Sequence, residues 1–353
     1  MSNNEVLERK TNLPGTLNKP DLVWRSVREE PFRIHGLYKP EISGRFRRLP
    51  AEISDNTNEG VAQLATNTSG GRVRFVTDSP YVAIHVETNE PERFDHMPGC
   101  GVYGFDLYIK KEGKQIYRGT YRPPVDLKEG YESELSLPGG KWEVTLNMSL
   151  YHNVDTLLIG LKEGCVLERA SDYRHSVPVV YYGSSITQGG CASRPGNSYA
   201  NMISRNLDCD YINLGFSASG KAEPIICEYM AGLEMSVFVC DYDHNAPNPQ
   251  HLWATHERLY RTIRNAHPDL PIILISKPDV LWNEKDADAR RAAIRATYEK
   301  AVAEGDKNIA FIDGATLFEG TMRDSCTVDG CHPNDLGMFR MAQVIGGELS
   351  RWL

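Results

Sequence analysis

The chain has 353 residues, past the size at which one hydrophobic core keeps growing, so two domains are expected. It is 41% hydrophobic and 24% charged with Gly and Pro dispersed, which excludes disordered and fibrous classes. A formal net charge of -8, with Lys and Arg scattered, excludes a nucleic-acid partner, and no stretch approaches the ~20 apolar residues of a membrane span.

Residues 1–30 read as an N-terminal extension, opening MSNNEVLERKTNLPG without an apolar secretory core, so a cytoplasmic location is expected. The eight cysteines are then expected as reduced thiols, several of them buried as small hydrophobes, and none forms a C-x-x-C pair. Between 31 and 168 apolar residues alternate in short runs, Gly71–Val76, Tyr81–Val86, Phe105–Ile109 and Trp142–Leu146, separated by turn signals such as Pro138-Gly139-Gly140. Period-two alternation with regular turns predicts an antiparallel sandwich. Inside it, Gly99-Cys100-Gly101-Val102-Tyr103-Gly104 matches G-x-G-x-x-G, but a strand-like run follows it and no buried strand precedes it. No nucleotide site and no cofactor are expected there.

From 175 to 353 the rhythm changes to short apolar runs alternating with helical patterns, which predicts a parallel sheet with crossover helices. The strands are placed at Val177–Tyr182, Asp210–Leu214, Ser236–Asp241, Ile272–Ser276 and Ile309–Asp313. Helices are placed at Ser198–Asn206, Pro224–Gly232, Pro249–Ala266, Asp286–Ala303 and Asp335–Trp352.

Four loops after these strands carry the chemistry. Gly183-Ser184-Ser185-Ile186-Thr187 follows the first strand and would present a hydroxyl above the sheet; lacking the closing glycine, it is not a G-x-S-x-G elbow. Asn213–Gly220 follows the second strand and Cys240–Pro247 the third, both small and polar enough to aim N–H groups at a developing oxyanion. Val328-Asp329-Gly330-Cys331-His332 precedes the last helix, and an aspartate three residues ahead of a histidine can fold back onto its Nδ1, leaving Nε2 to take a proton from a serine. All four loops lie at the carboxyl edge of an open α/β sheet, where ligands bind.

On these residues the second half resembles the SGNH/GDSL hydrolases, whose four blocks supply Ser, Gly, Asn and His in that order. The first half resembles the β-sandwich that precedes such hydrolases in one bacterial subgroup, with its G-x-D-L-Y motif as Gly104-Phe105-Asp106-Leu107-Tyr108. The resemblance implies a three-layer, flavodoxin-like five-stranded parallel sheet after a jelly-roll-like sandwich. It implies Ser185 as nucleophile, His332 as base and Asp329 as its orienting acid. The oxyanion would be held by the Ser185 N–H, the Ala218 N–H and the Asn245 amide, with no metal or cofactor. Alanine stands where the family has glycine, so either the loop keeps ordinary dihedrals or Gly215 or Gly220 plays the part.

The expected substrate is a short-chain, acetyl ester of a small molecule or oligosaccharide, with Trp282 in the loop after the fourth strand and His244 as candidate substrate contacts. Asp106 and Tyr108 are expected to be structural. Three alternatives stand beside this: an acyltransferase sharing the covalent step, a carbohydrate-binding protein with a silent fold, and metal-dependent hydrolysis through Cys331, His332, Asp241 or His244. A homo-oligomer is compatible with the sequence.

Overall fold

A computed structural model describes residues 17–89, 92–278 and 283–353. In chain order the first half supplies β1 (Leu22–Ser26), β2 (Arg33–His35), β3 (Arg72–Thr77), β4 (Tyr81–Glu87), β5 (Phe105–Lys111), β6 (Lys114–Tyr121), β7 (Gly130–Ser136), β8 (Trp142–Asn147), β9 (Thr156–Lys162) and β10 (Leu167–Glu168). They pair antiparallel in two sheets, ordered β1-β9-β4-β7 and β10-β3-β8-β5-β6, with β2 laid on β3. Alternate residues from both sheets, among them Val73, Phe75, Ile84, Leu107, Val144 and Ile159, bury completely in one core. The four runs legible in the sequence became β3, β4, β5 and β8.

Helices α1 (Ala51–Thr57) and α2 (Glu59–Leu64), which the strand-rich reading did not anticipate, interrupt the sandwich between β2 and β3. They leave its core: Leu49, Val61 and Ala65 pack with Leu214 and Phe216 of the second half. Asn58 caps α2 through Oδ1 to the Val61 N–H at 2.9 Å, and its amide donates to the Ser219 carbonyl at 3.0 Å. Arg48, fully buried, donates to the carbonyls of Leu64, Asn67, Asn213 and Gly215, so four backbone dipoles compensate its charge across the two halves. The glycine-rich run holds α3 (Gly99–Val102), a single turn leading into β5. A Cβ at Gly101 would lie 2.2 Å from the Ala192 carbonyl oxygen, so this glycine serves close packing between the halves.

The second half places β11 (His175–Gly183), β12 (Cys209–Gly215), β13 (Val237–Asp241), β14 (Ile272–Ile275) and β15 (Ile309–Ile312) in a parallel sheet of order β12-β11-β13-β14-β15. Between and after them run α4 (Ser185–Gln188), α5 (Tyr199–Leu207), α6 (Pro224–Ala231), α7 (Pro249–Ala266), α8 (Glu284–Ala303) and α9 (Asp335–Leu349). Each strand is apolar on both faces because helices cover both. Val180, Tyr182 and Phe238 pack with α6, α7 and α8 on one side. Val179, Tyr181 and Val239 pack with α5 and α9 on the other. This is the three-layer, flavodoxin-like arrangement expected. Helix starts follow their capping chemistry: Asn248 before Pro249 accepts the His251 N–H, and Asn334 accepts those of Leu336 and Gly337.

All eight cysteines are free. Among the described residues no helix is long and apolar enough to cross a membrane.

Candidate active site

Register places Gly183, Gly215 and Asp241 side by side at the carboxyl ends of β11, β12 and β13, so the three loops that follow emerge together. Ser184 caps α4, its Oγ accepting the Ile186 N–H at 3.2 Å, which sets Ser185 as the first helical residue, 8% exposed. The Ser185 carbonyl accepts from the Gly190 N–H at 2.8 Å and from the Tyr151 hydroxyl, reaching over from the sandwich, at 2.8 Å. The Ser185 loop is thus clamped from both halves of the molecule.

The turn before α9 closes through the Val328 N–H on the His332 carbonyl at 2.9 Å. Asp329 fills it: one carboxylate oxygen accepts the N–H groups of Cys331 and His332 at 3.0 and 2.7 Å, the other faces His332 Nδ1 at 2.7 Å. Burial pulls the Asp329 carboxyl upward, but the His332 ring and these two amides outweigh it and hold it down to about 2. His332 Nε2 lies 3.0 Å from Ser185 Oγ. Ser185, Asp329 and His332, 147 positions apart in sequence at the extremes, therefore stand in one hydrogen-bonded row.

Ala218 adopts φ +55°, the left-handed conformation, so the loop does not hold ordinary dihedrals and the alanine carries a glycine's geometry. Its N–H, like that of Ser185, has no acceptor among the described residues. Asn245 differs from expectation. Its amide nitrogen lies 2.8 Å from the Phe216 and Gly220 carbonyls and 3.3 Å from that of Gly183. An amide has two hydrogens, and three carbonyls already engage them. Asn245, 5% exposed, here ties the first three loops together rather than offering a free hydrogen to an oxyanion.

His244 lies with Nδ1 3.8 Å from Cys331 Sγ, beside the His332 turn. Trp282 falls outside the described residues. Asp241 is fully buried; burial and the Asp243 carboxyl push it up to about 8, and Thr187 and Tyr199 hydroxyls bond its Oδ2. The set Cys331, His332, Asp241 and His244 does not converge as a metal-ligand group among the described residues.

Sequence reasoning did not single out the sandwich's share of the site. Asp95, His96, Met97 and Pro98 face Cys191, Ser193, Val328, Asp335 and Leu336 across a cleft of about 600 Å³. The His96 ring stands 5.3 Å from that of His332. Burial, then Asp329 and Cys331, push the Cys191 thiol up to about 12, so it stays protonated near neutrality. Behind the cleft, Asp106 of the G-x-D-L-Y run accepts from Arg194 at 2.6 Å, the Gly196 N–H at 2.8 Å and Asn147 at 2.7 Å, and Tyr108 bonds Arg194 at 2.6 Å. A Cβ at Gly196 would lie 2.7 Å from that carboxylate. The motif fixes the 191–198 segment that forms one wall. A lone histidine in a polar, proline-interrupted stretch carried no signal of this.

Residues 176–349 match the family model of GDSL-like lipases/acylhydrolases. The C-terminal domain belongs to the GDSL-like lipase/acylhydrolase family. Residues 22–167 match the model for the N-terminus of SGNH-hydrolase-type esterases, so this GDSL-like domain carries the sandwich its subgroup pairs with it. Among solved structures, a protein of Bacteroides ovatus ATCC 8483 assigned as a GDSL-like lipase shares 29% identity over 94% of this chain and 97% of its own, with a TM-score of 0.85. The salicylyl-acyltransferase SsfX3 of a tetracycline biosynthetic pathway shares 21% over 95% and 98%, with a TM-score of 0.76. A family two carbohydrate esterase of Clostridium thermocellum, solved with cellohexaose, shares 15% over 91% and 100%, with a TM-score of 0.62. No curated protein matches. The chain is an esterase-type hydrolase of the SGNH/GDSL kind, and the latter two likenesses extend its fold alone.

Proposed function

We propose that the protein is a serine esterase that removes short acyl groups, acetyl foremost, from a carbohydrate or small-molecule alcohol. The observation that carries this is the row Ser185 Oγ, His332 Nε2, His332 Nδ1, Asp329 Oδ2, with spacings of 3.0 and 2.7 Å. Ser185 attacks the ester carbonyl while His332 takes its proton, and the ionised Asp329 holds the Nδ1–H tautomer and stabilises the imidazolium. The Ser185 and Ala218 N–H groups, both without other acceptors among the described residues, supply the oxyanion donors, and Asn245 keeps their loops in place. His332 then protonates the leaving alcohol and activates the water that frees the acid.

The cleft of about 600 Å³, lined by both halves of the molecule with His96 beside the His332 ring, has the size to take a small-molecule or sugar ester. Its lip also favours a second reading. Val328 and Leu336, which line it, are 49% and 37% exposed, and Phe339 one turn on is 49% exposed, an apolar edge that suits an alcohol acceptor in place of water.

A screen of acyl lengths and acetylated sugars, run beside Ser185→Ala, tests the proposal. Hydrolysis of short esters that Ser185→Ala abolishes is expected; ester formation outpacing acid release when alcohols are present would favour the acyltransferase reading.

A further inference from the structure

His96, Cys191 and His332 are the one group of three ligating side chains that converges among the described residues, with ligand atoms all within 4.8 Å of one another. The two imidazoles come from different halves of the molecule and tilt at 44° to each other. Each turns Nδ1 to a carboxylate: His332 to Asp329 at 2.7 Å and His96 to Asp95 at 3.0 Å. A carboxylate on Nδ1 fixes the tautomer in which Nε2 carries the lone pair, the arrangement that orients metal-binding histidines. Cys191 joins them from a backbone held at φ +69°, a conformation costly for a side-chain-bearing residue, and its thiol faces the His96 carbonyl at 3.6 Å.

Two imidazoles and one thiolate suit Zn²⁺ and leave a fourth position for water. Tetrahedral zinc asks for ligand atoms about 3.3 to 3.6 Å apart, so the three must draw in by roughly an ångström. His96, on a loop at the cleft rim and partly exposed, has room to supply that movement.

We propose that His96, Cys191 and His332 form a Zn²⁺ site that inhibits the enzyme by sequestering the imidazole Ser185 needs. Hydrated zinc sheds all its waters but one as the three ligands bind, and the Cys191 thiol proton passes to solvent, as a coordinating cation removes it outright. His332 Nε2 exchanges its hydrogen bond with Ser185 Oγ for a bond to the metal, while Asp329 stays on Nδ1. Inhibition rests on the serine-esterase reading; binding does not.

Calorimetric titration of the full chain with Zn²⁺ in chelator-free buffer, beside hydrolysis of an aryl acetate, tests both parts. One site per chain is expected, with Kd weakened at least about tenfold by Cys191→Ala and by His96→Gln, and held within about twofold by Ser185→Ala. Activity falls in step with occupancy and returns with EDTA. Co²⁺ in place of zinc gives thiolate-to-cobalt charge-transfer absorption that Cys191→Ala loses, a readout independent of turnover. Equal zinc affinity in wild type and both ligand variants, or no charge-transfer band, overturns the site. Occupancy of the site with unchanged hydrolysis overturns the inhibition, and a protein that binds zinc as described yet hydrolyses no ester counts against the esterase reading alone.

Discussion

Ala218 shows how a residue that breaks a family pattern can keep its geometry. With φ at +55° it adopts the conformation a glycine would take, at a strain of about 1 kcal/mol, and its N–H meets no acceptor among the described residues. Ala218→Gly should therefore leave kcat within about threefold and leave Tm unchanged or slightly higher, since relieved strain offsets the added freedom of the unfolded chain. Asn245 separates two roles in one experiment. A residue that only donates to an oxyanion would lose kcat alone, whereas Asn245→Ala, which strands buried carbonyls, should also destabilise by about 1 to 3 kcal/mol in urea titration. Activity lost with unaltered stability would restore the donor role. The Ser, Asp and His positions were legible because their chemistry is local: a serine after a buried strand, an aspartate three residues before a histidine. Asn245 was not fully legible, because what its amide bonds depends on three loops from distant segments.

Elements repeat this division. The parallel strands and α7 lie almost where periodicity puts them, because burial on both faces leaves continuous apolar runs such as Val237–Val239 and Ile272–Ile275. Strands β6 and β7, with sequences KQIYRGTY and GYESELS, carry too few apolar side chains to announce themselves, and α1 and α2 take their packing from a sheet 150 residues on. The G-x-D-L-Y strand illustrates what only assembly reveals: Asp106 is buried on Arg194 and the Gly196 amide, not on its own sheet alone. Burial raises its carboxyl against the pull of Arg194 and its hydrogen bonds. Removing one partner of such a pair strands the other, so Asp106→Ala should cost about 3 to 5 kcal/mol by denaturant unfolding. A cost under about 1 kcal/mol would deny the motif its place in the domain interface.

For the whole molecule, two carboxyls set opposite pH trends. Asp329 has a folded pKa held down to about 2, so its contribution is present above the unfolded value of about 4 and is lost as pH falls toward 2. Asp241 is the reverse: its folded pKa is pushed up to about 8, so the folded state holds a proton the unfolded chain releases, and stability falls as pH rises from about 4 to about 8. Asp241→Asn should flatten that fall in Tm between pH 5 and about 8; a curve parallel to wild type would refute the assignment. The candidate site is likewise built from both halves, since Tyr151 and His96 belong to the sandwich while Ser185 and His332 belong to the α/β domain.

Mass spectrometry of the intact protein after reaction with a serine-directed fluorophosphonate addresses the nucleophile most directly. One adduct per chain, mapped to Ser185, absent from Ser185→Ala, slowed at least about a hundredfold in His332→Ala and matched by loss of esterase activity, is the predicted result. Labelling at another residue, or hydrolysis of an aryl acetate by Ser185→Ala at the parental rate, would contradict it.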